Sequence, residues 1–114
     1  MPYLLDPILS ATEYQRPKQS GPDIVHHWGI VVTNKSGSYL VHNMPETGTV
    51  ATPVSNMSNN WKPYQNLKVG DNKTIQGMFQ STGPAAYFPQ GFDKYITQGT
   101  CLGATELMKL YLAW

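Results

Sequence analysis

Ile24-Val25-His26-His27-Trp28-Gly29-Ile30-Val31-Val32-Thr33 is a run of β-branched and aromatic residues, and such runs form strands. Asn34-Lys35-Ser36-Gly37-Ser38 then supplies turn residues, and Tyr39-Leu40-Val41-His42 resumes the strand pattern. Together they predict a β-hairpin. Side chains alternate along a strand, so Ile24, His26, Trp28 and Ile30 share one face while Val25, His27, Gly29 and Val31 share the other. The adjacent His26 and His27 therefore cannot serve the same site.

Upstream, residues 1–23 carry Pro2, Pro7, Pro17 and Pro22. Proline fixes φ and lacks an amide proton, so this stretch reads as an irregular arm anchored by Tyr3-Leu4-Leu5 and Ile8-Leu9. Downstream, Thr49–Thr52 reads as a strand, Trp61–Val69 is mixed, and Gly70-Asp71-Asn72-Lys73 is a turn. Thr74–Phe79 reads as a strand, and Phe92–Thr97 as a short element after the breakers Gly83-Pro84, Pro89 and Gly91. From Cys101 to Trp114 good helix formers dominate, with Gly103, Leu107, Leu110, Tyr111 and Trp114 on the expected core face and Glu106, Lys109 and Ala113 away from it. Thr100 is the expected N-cap, which places Cys101 at the first helical position.

The 114 residues fit one domain, divided into an arm at 1–23 and a folded unit at 24–114. Eight Lys+Arg against 7 Asp+Glu leave a net charge of +1 with no basic stripe, so charge implies no nucleic-acid partner. One cysteine excludes an internal disulfide. The N-terminus lacks the basic and apolar regions of a signal peptide. The sequons at Asn34, Asn56 and Asn72 read as chance matches in a chain rich in Asn, Ser and Thr. No apolar run is long enough to span a bilayer. The chain ends within an apolar helical pattern at Trp114, which reads as truncation before a C-terminal hydrophobic segment.

The chemistry-bearing residues are Cys101, His27 and His42. A helix N-terminus stabilises a thiolate, an imidazole accepts its proton, and a third polar group orients that imidazole. The exposed amides of the first turn would also receive an oxyanion. Each residue has a plainer reading, since a lone cysteine is more often a small core side chain and a strand histidine a hydrogen-bonded structural one. A zinc site drawn from His26, His27, His42 and Cys101 lacks the close-spaced ligand pairs such sites use, so no metal or other cofactor is expected.

The pattern His27-Trp28-Gly29-Ile30-Val31-Val32, then Tyr39-Leu40-Val41-His42-Asn43, then Cys101, resembles the H-rev107/lecithin:retinol acyltransferase family of permuted NlpC/P60 papain-like proteins. It is similar also to the picornavirus 2A proteins that carry an H-box and an Asn-Cys (NC) motif. Thr100 stands where that motif has Asn, and Cys101-Leu102-Gly103 lacks the Asn-Cys-Glu-His continuation of the cellular enzymes. The resemblance implies an α+β fold in which an antiparallel sheet packs on a helix that starts at the cysteine. It implies Cys101 as nucleophile, His27 as base and His42 as orienting residue. Its first functional implication is a viral 2A-type protein acting in RNA replication and host interaction without efficient catalysis. Its partners would be host or viral proteins, and membrane phospholipid reached through a removed C-terminal segment, in the host cytoplasm or at replication membranes. The alternative is a phospholipase or acyltransferase that passes phospholipid acyl chains through a thioester on Cys101. A papain-like peptidase or amidase is a third option, without a pocket signature.

Overall fold

A computed structural model describes the backbone of residues 2–17, 26–44, 48–82 and 94–114, with side chains for all of these except 2, 17, 26 and 94–102. The fold is α+β. Helix α1 (Pro2–Leu5) leads into β1 (Ser10–Pro17), β2 (His26–Asn34), β3 (Gly37–Met44) and β4 (Gly48–Pro53). A 3-10 turn at Val54–Asn56 precedes β5 (Lys62–Leu67), and two helices follow, α2 (Ile75–Ser81) and α3 (Lys94–Ala113). The five strands form one antiparallel sheet in the order β4-β3-β2-β1-β5.

The predicted hairpin is β2–β3, and its loop is shorter than the turn residues suggested. Asn34 pairs with Gly37, which leaves Lys35 and Ser36 as the connection. Gly37 has φ +146, a conformation that side chains disfavour. The buried Asn34 accepts from Ser36 N at 2.9 Å and donates to the Tyr3 carbonyl at 2.9 Å. Asp6 accepts from the Ser36 hydroxyl, so the hairpin tip and the N-terminal residues are tied together.

Residues 10–17 are not part of an irregular arm. They form β1, the strand between β2 and β5. Pro17 ends the strand beyond Gln15, the last residue paired with β5, so it lies on a stretch with one strand neighbour only. The ladder shifts register between Glu13 and Tyr14, where Pro63 and Gln65 oppose Tyr14 and Glu13 and Tyr64 is the extra residue of a bulge.

Thr74–Phe79 is likewise not a strand. Ile75 and Met78, one turn apart, are both fully buried in α2. Thr74 is its N-cap, accepting from Gly77 N at 3.0 Å. The core lies between one sheet face and the helices, with Ala11, Ile30, Val32 and Val41 from the strands meeting Ile75 and Met78 of α2 and Met108 and Leu112 of α3.

Helix α3 departs from expectation at its start and in its phase. It begins at Lys94, so Thr100 is interior and Cys101 lies about two turns inside. Its sheet-facing residues are Ala104, Thr105, Met108 and Leu112, while Gly103 is exposed and Leu110 and Trp114 are 59% and 84% exposed. Small residues at 104 and 105 let the helix approach the sheet closely. A polar clasp fixes it there: Lys109 Nζ lies 3.2 Å from Glu13 Oε1 and 2.9 Å from Glu106 Oε2. Gln65 Nε2 donates to the buried Glu13 carboxylate at 2.7 Å. Burial disfavours the charge on Lys109, but the hydrogen bonds to Glu106 and Glu13 outweigh it and hold its pKa above the usual lysine value. Residues 83–93, which include the Gly/Pro breakers and part of the predicted 92–97 element, lie outside the described residues; 94–97 belong to α3.

Two helical glycines respond oppositely to a methyl group. A Cβ on Gly77 would overlap the Tyr111 ring, whose hydroxyl accepts from Thr74 N at 3.0 Å, whereas a Cβ on Gly103 meets nothing within 4 Å. Gly77→Ala should cost about 1–3 kcal/mol, and Gly103→Ala should add about 0.4–1 kcal/mol. Urea unfolding of both variants checks the pair.

Candidate functional site

Strand alternation sorts the candidate residues. Ile30 and Val32 point into the core under α3, so His27, Gly29 and Val31 point to the other side of β2. Gly29 is opposite His42 in the β2–β3 ladder, and Val41 points into the core, so His42 shares the face of His27. Both histidines therefore project from the sheet face opposite the one on which α3 packs.

That second face has its own organiser, Trp61. The chain leaves edge strand β4 through Val54–Asn56 and returns at β5 on the opposite edge. Trp61 closes this connection and is only 7% exposed. Its ring meets His42 edge-on at 5.7 Å and His27 edge-on at 6.4 Å between centroids. The Arg16 guanidinium lies 5.3 Å from the indole centroid, within cation–π range. Arg16 and His27 are cross-strand partners in the β1–β2 ladder. Gly29 makes the close packing possible, because a Cβ there would stand 2.9 Å from Leu40 Cδ1 and 3.0 Å from His42 Cβ.

The electrostatics follow from this crowding. Burial, reinforced by the neighbouring charges of His27 and Arg16, pushes the His42 pKa from 6.5 to about 4. His42 is therefore neutral at neutral pH. Its Nε2 is 3.5 Å from Thr52 Oγ1, while its buried Nδ1 has no hydrogen-bond partner among the described residues. The buried Nε of Arg16 is in the same position.

His27 and His42 thus come together, on one face and under one indole. Cys101 sits in α3 on the other side of the sheet, and its side chain lies outside the described residues. Its position also removes the expected helix-end chemistry. The dipole effect fades within the first turn, and the amides of an interior turn are spent on intrahelical bonds. Among the described residues no three His, Cys, Asp or Glu side chains gather to hold a metal ion. No helix among them is long and apolar enough to cross a membrane. Sequence reasoning missed Arg16, Thr52 and Trp61, which reach the histidines only through strand pairing and the crossing connection. The available signal was Trp61 itself, a large aromatic within the polar stretch Asn59-Asn60-Trp61-Lys62.

Over 84 residues, 73% of the chain is 34% identical to uncharacterized protein R800 of Acanthamoeba polyphaga mimivirus, of which it covers 71%. No family model and no solved structure matches.

The depressed His42 pKa fixes the sign of a pH effect. Between 6.5 and about 4 the unfolded chain binds a proton that folded His42 refuses, so stability is full above pH 6.5 and falls toward about pH 4. With solvent screening of a partly exposed ring, the loss is about 2 kcal/mol. His42→Gln should remove that share of the acid sensitivity, read as the difference between urea-unfolding free energies at neutral and mildly acidic pH. Gly29→Ala should destabilise the fold by about 1–3 kcal/mol through overpacking at His42 and Leu40.

Proposed function

The chain belongs to the same family as protein R800 of the mimivirus, and from that premise we propose that it is a viral-type binding domain that acts by contact with host or viral proteins rather than by covalent catalysis. The observation that carries this reading is the sheet itself, with His27 and His42 on one face and the helix that contains Cys101 on the other. A nucleophile and its base must come within hydrogen-bond reach. Here the sheet lies between the two histidines and the helix that carries Cys101. The depressed pKa of His42 points the same way, since an imidazole that protonates near 4 is a weak partner for an imidazolium at neutral pH.

The finer form of this proposal keeps the likeness to the H-rev107-type and picornavirus 2A proteins. It rests on His27–Val32 and on Tyr39–Asn43, which occupy paired strands β2 and β3. In that form the fold is a permuted NlpC/P60 relative that retains the histidine strands as a scaffold. The work of such a domain would lie in replication-associated host contacts within the infected cell.

The test is alkylation of Cys101 by iodoacetamide as a function of pH, read by intact mass, in the parent and in His27→Ala. The expected outcome is a midpoint at or above the free-cysteine value of about 8.5 that does not move in His27→Ala, with no phospholipid hydrolysis. A midpoint well below that value, raised by His27→Ala, would overturn the binding reading and restore the thiol acyltransferase one.

A further inference from the structure

The face of the sheet away from the helices carries three basic side chains from three successive strands: Arg16 on β1, His27 on β2 and His42 on β3. Each of the three lies against the Trp61 ring. Two buried nitrogens there, Arg16 Nε and His42 Nδ1, have no hydrogen-bond partner among the described residues. The arginine Nε is always a donor. On His42, the Thr52 hydroxyl near Nε2 can give its proton to that nitrogen, which leaves the ring proton on Nδ1. Both orphaned atoms are then donors, and a buried donor calls for an acceptor.

The described carboxylates are engaged or placed elsewhere. Asp6 binds Ser36 and faces Lys35 at the hairpin tip. Glu13 points under α3 to Lys109 and Gln65, Glu106 binds Lys109 on that helix, and Asp71 is exposed in the turn before α2. The groups facing His42 are Arg16, His27, Thr52 and Trp61, so no described carboxylate meets the two orphaned nitrogens.

We propose that Arg16 and His42, flanked by His27 and capped by Trp61, form a binding site for a small oxyanion. The anion's oxygens accept from Arg16 Nε–H and His42 Nδ1–H. The indole covers the pair and keeps water from competing, which strengthens charged hydrogen bonds. An anion at this position also favours the imidazolium, so binding takes up a proton on His42 and tightens as the solution becomes more acidic. The proposal does not use Cys101, and its test reads the His42 and Arg16 signals directly, apart from any activity.

The experiment is an NMR titration of the intact chain that follows the histidine-ring and arginine Nε–H resonances. Inorganic phosphate and acetate are the two probes, at ionic strength held constant with sodium chloride. The expected result is saturable movement of the His42 and Arg16 signals and a rise of the His42 pKa by about one unit or more. The response should vanish in Arg16→Gln and persist in Lys35→Gln, a change at an exposed lysine of the hairpin loop. Response to one probe alone supports the site and assigns its anion class. Unmoved His42 and Arg16 signals with both probes would overturn the proposal. So would equal movement with sodium chloride alone, or an undiminished response in a folded Arg16→Gln. Should Arg16→Gln not fold, the parent His42 pKa with and without each probe decides the matter.

Discussion

The packing of Ile30 and Val32 against Met108 and Leu112 commits β2 to one orientation, and strand geometry does the rest. Because the side-chain period is two, a strand that turns Ile30 inward must turn Gly29 and His27 outward. The β2–β3 register passes the same decision to the next strand, where Val41 goes in and His42 goes out. The β1 register passes it to Glu13 and Arg16, which take opposite sides. A one-residue slip of β2 would turn His27 toward the helices and Ile30 and Val32 away from them. The clasp of Glu13, Lys109 and Gln65 adds a polar check on that register, because a buried carboxylate is tolerated only where its partners meet it.

The two faces are closed by different means. On one, helices α2 and α3 supply aliphatic side chains. On the other, the described structure relies on Trp61, brought across from β4 to β5 and laid over side chains that are polar at their tips. An indole suits this task, because its face accepts a guanidinium and its bulk excludes water. The neutral state of His42 is the electrostatic counterpart of that closure. Desolvation and two basic neighbours make the charged ring costly, so packing and protonation state are one property.

The hairpin was legible because Ile24–Thr33 concentrates strand formers, and alternation already separated His26 from His27. Strand β1 was not, since Ser10–Arg16 spends an inward position on Glu13 and ends at a proline. The phase of α3 was hidden for a similar reason: its buried stripe uses Ala104 and Thr105, which carry little hydrophobic signal, while Leu110 and Trp114 face outward. Its start was misplaced because Gly99-Thr100 looks like a boundary, yet a helix passes through it. The three candidate residues were identifiable by type. Their relation was not, because alternation shows which residues share a face but not which face a distant helix will choose. Arg16 and Trp61 could enter the picture only with tertiary pairing.

Strand β5 has a consequence beyond this chain's own fold. It is the outer strand beside β1, exposed over nearly its whole length, and a strand in that position offers unpaired backbone groups to any other strand it meets. Lys62 places a charge at its start, Pro63 contributes no amide proton, and the bulge at Tyr64 breaks the regular spacing. Proline is tolerated in a ladder where its nitrogen faces outward, which removes a donor from the free side. Such an edge resists accretion: the sheet can complete itself at β5, but it presents a poor template for growing into a continuous ribbon with its neighbours at the high concentrations of a crowded cell.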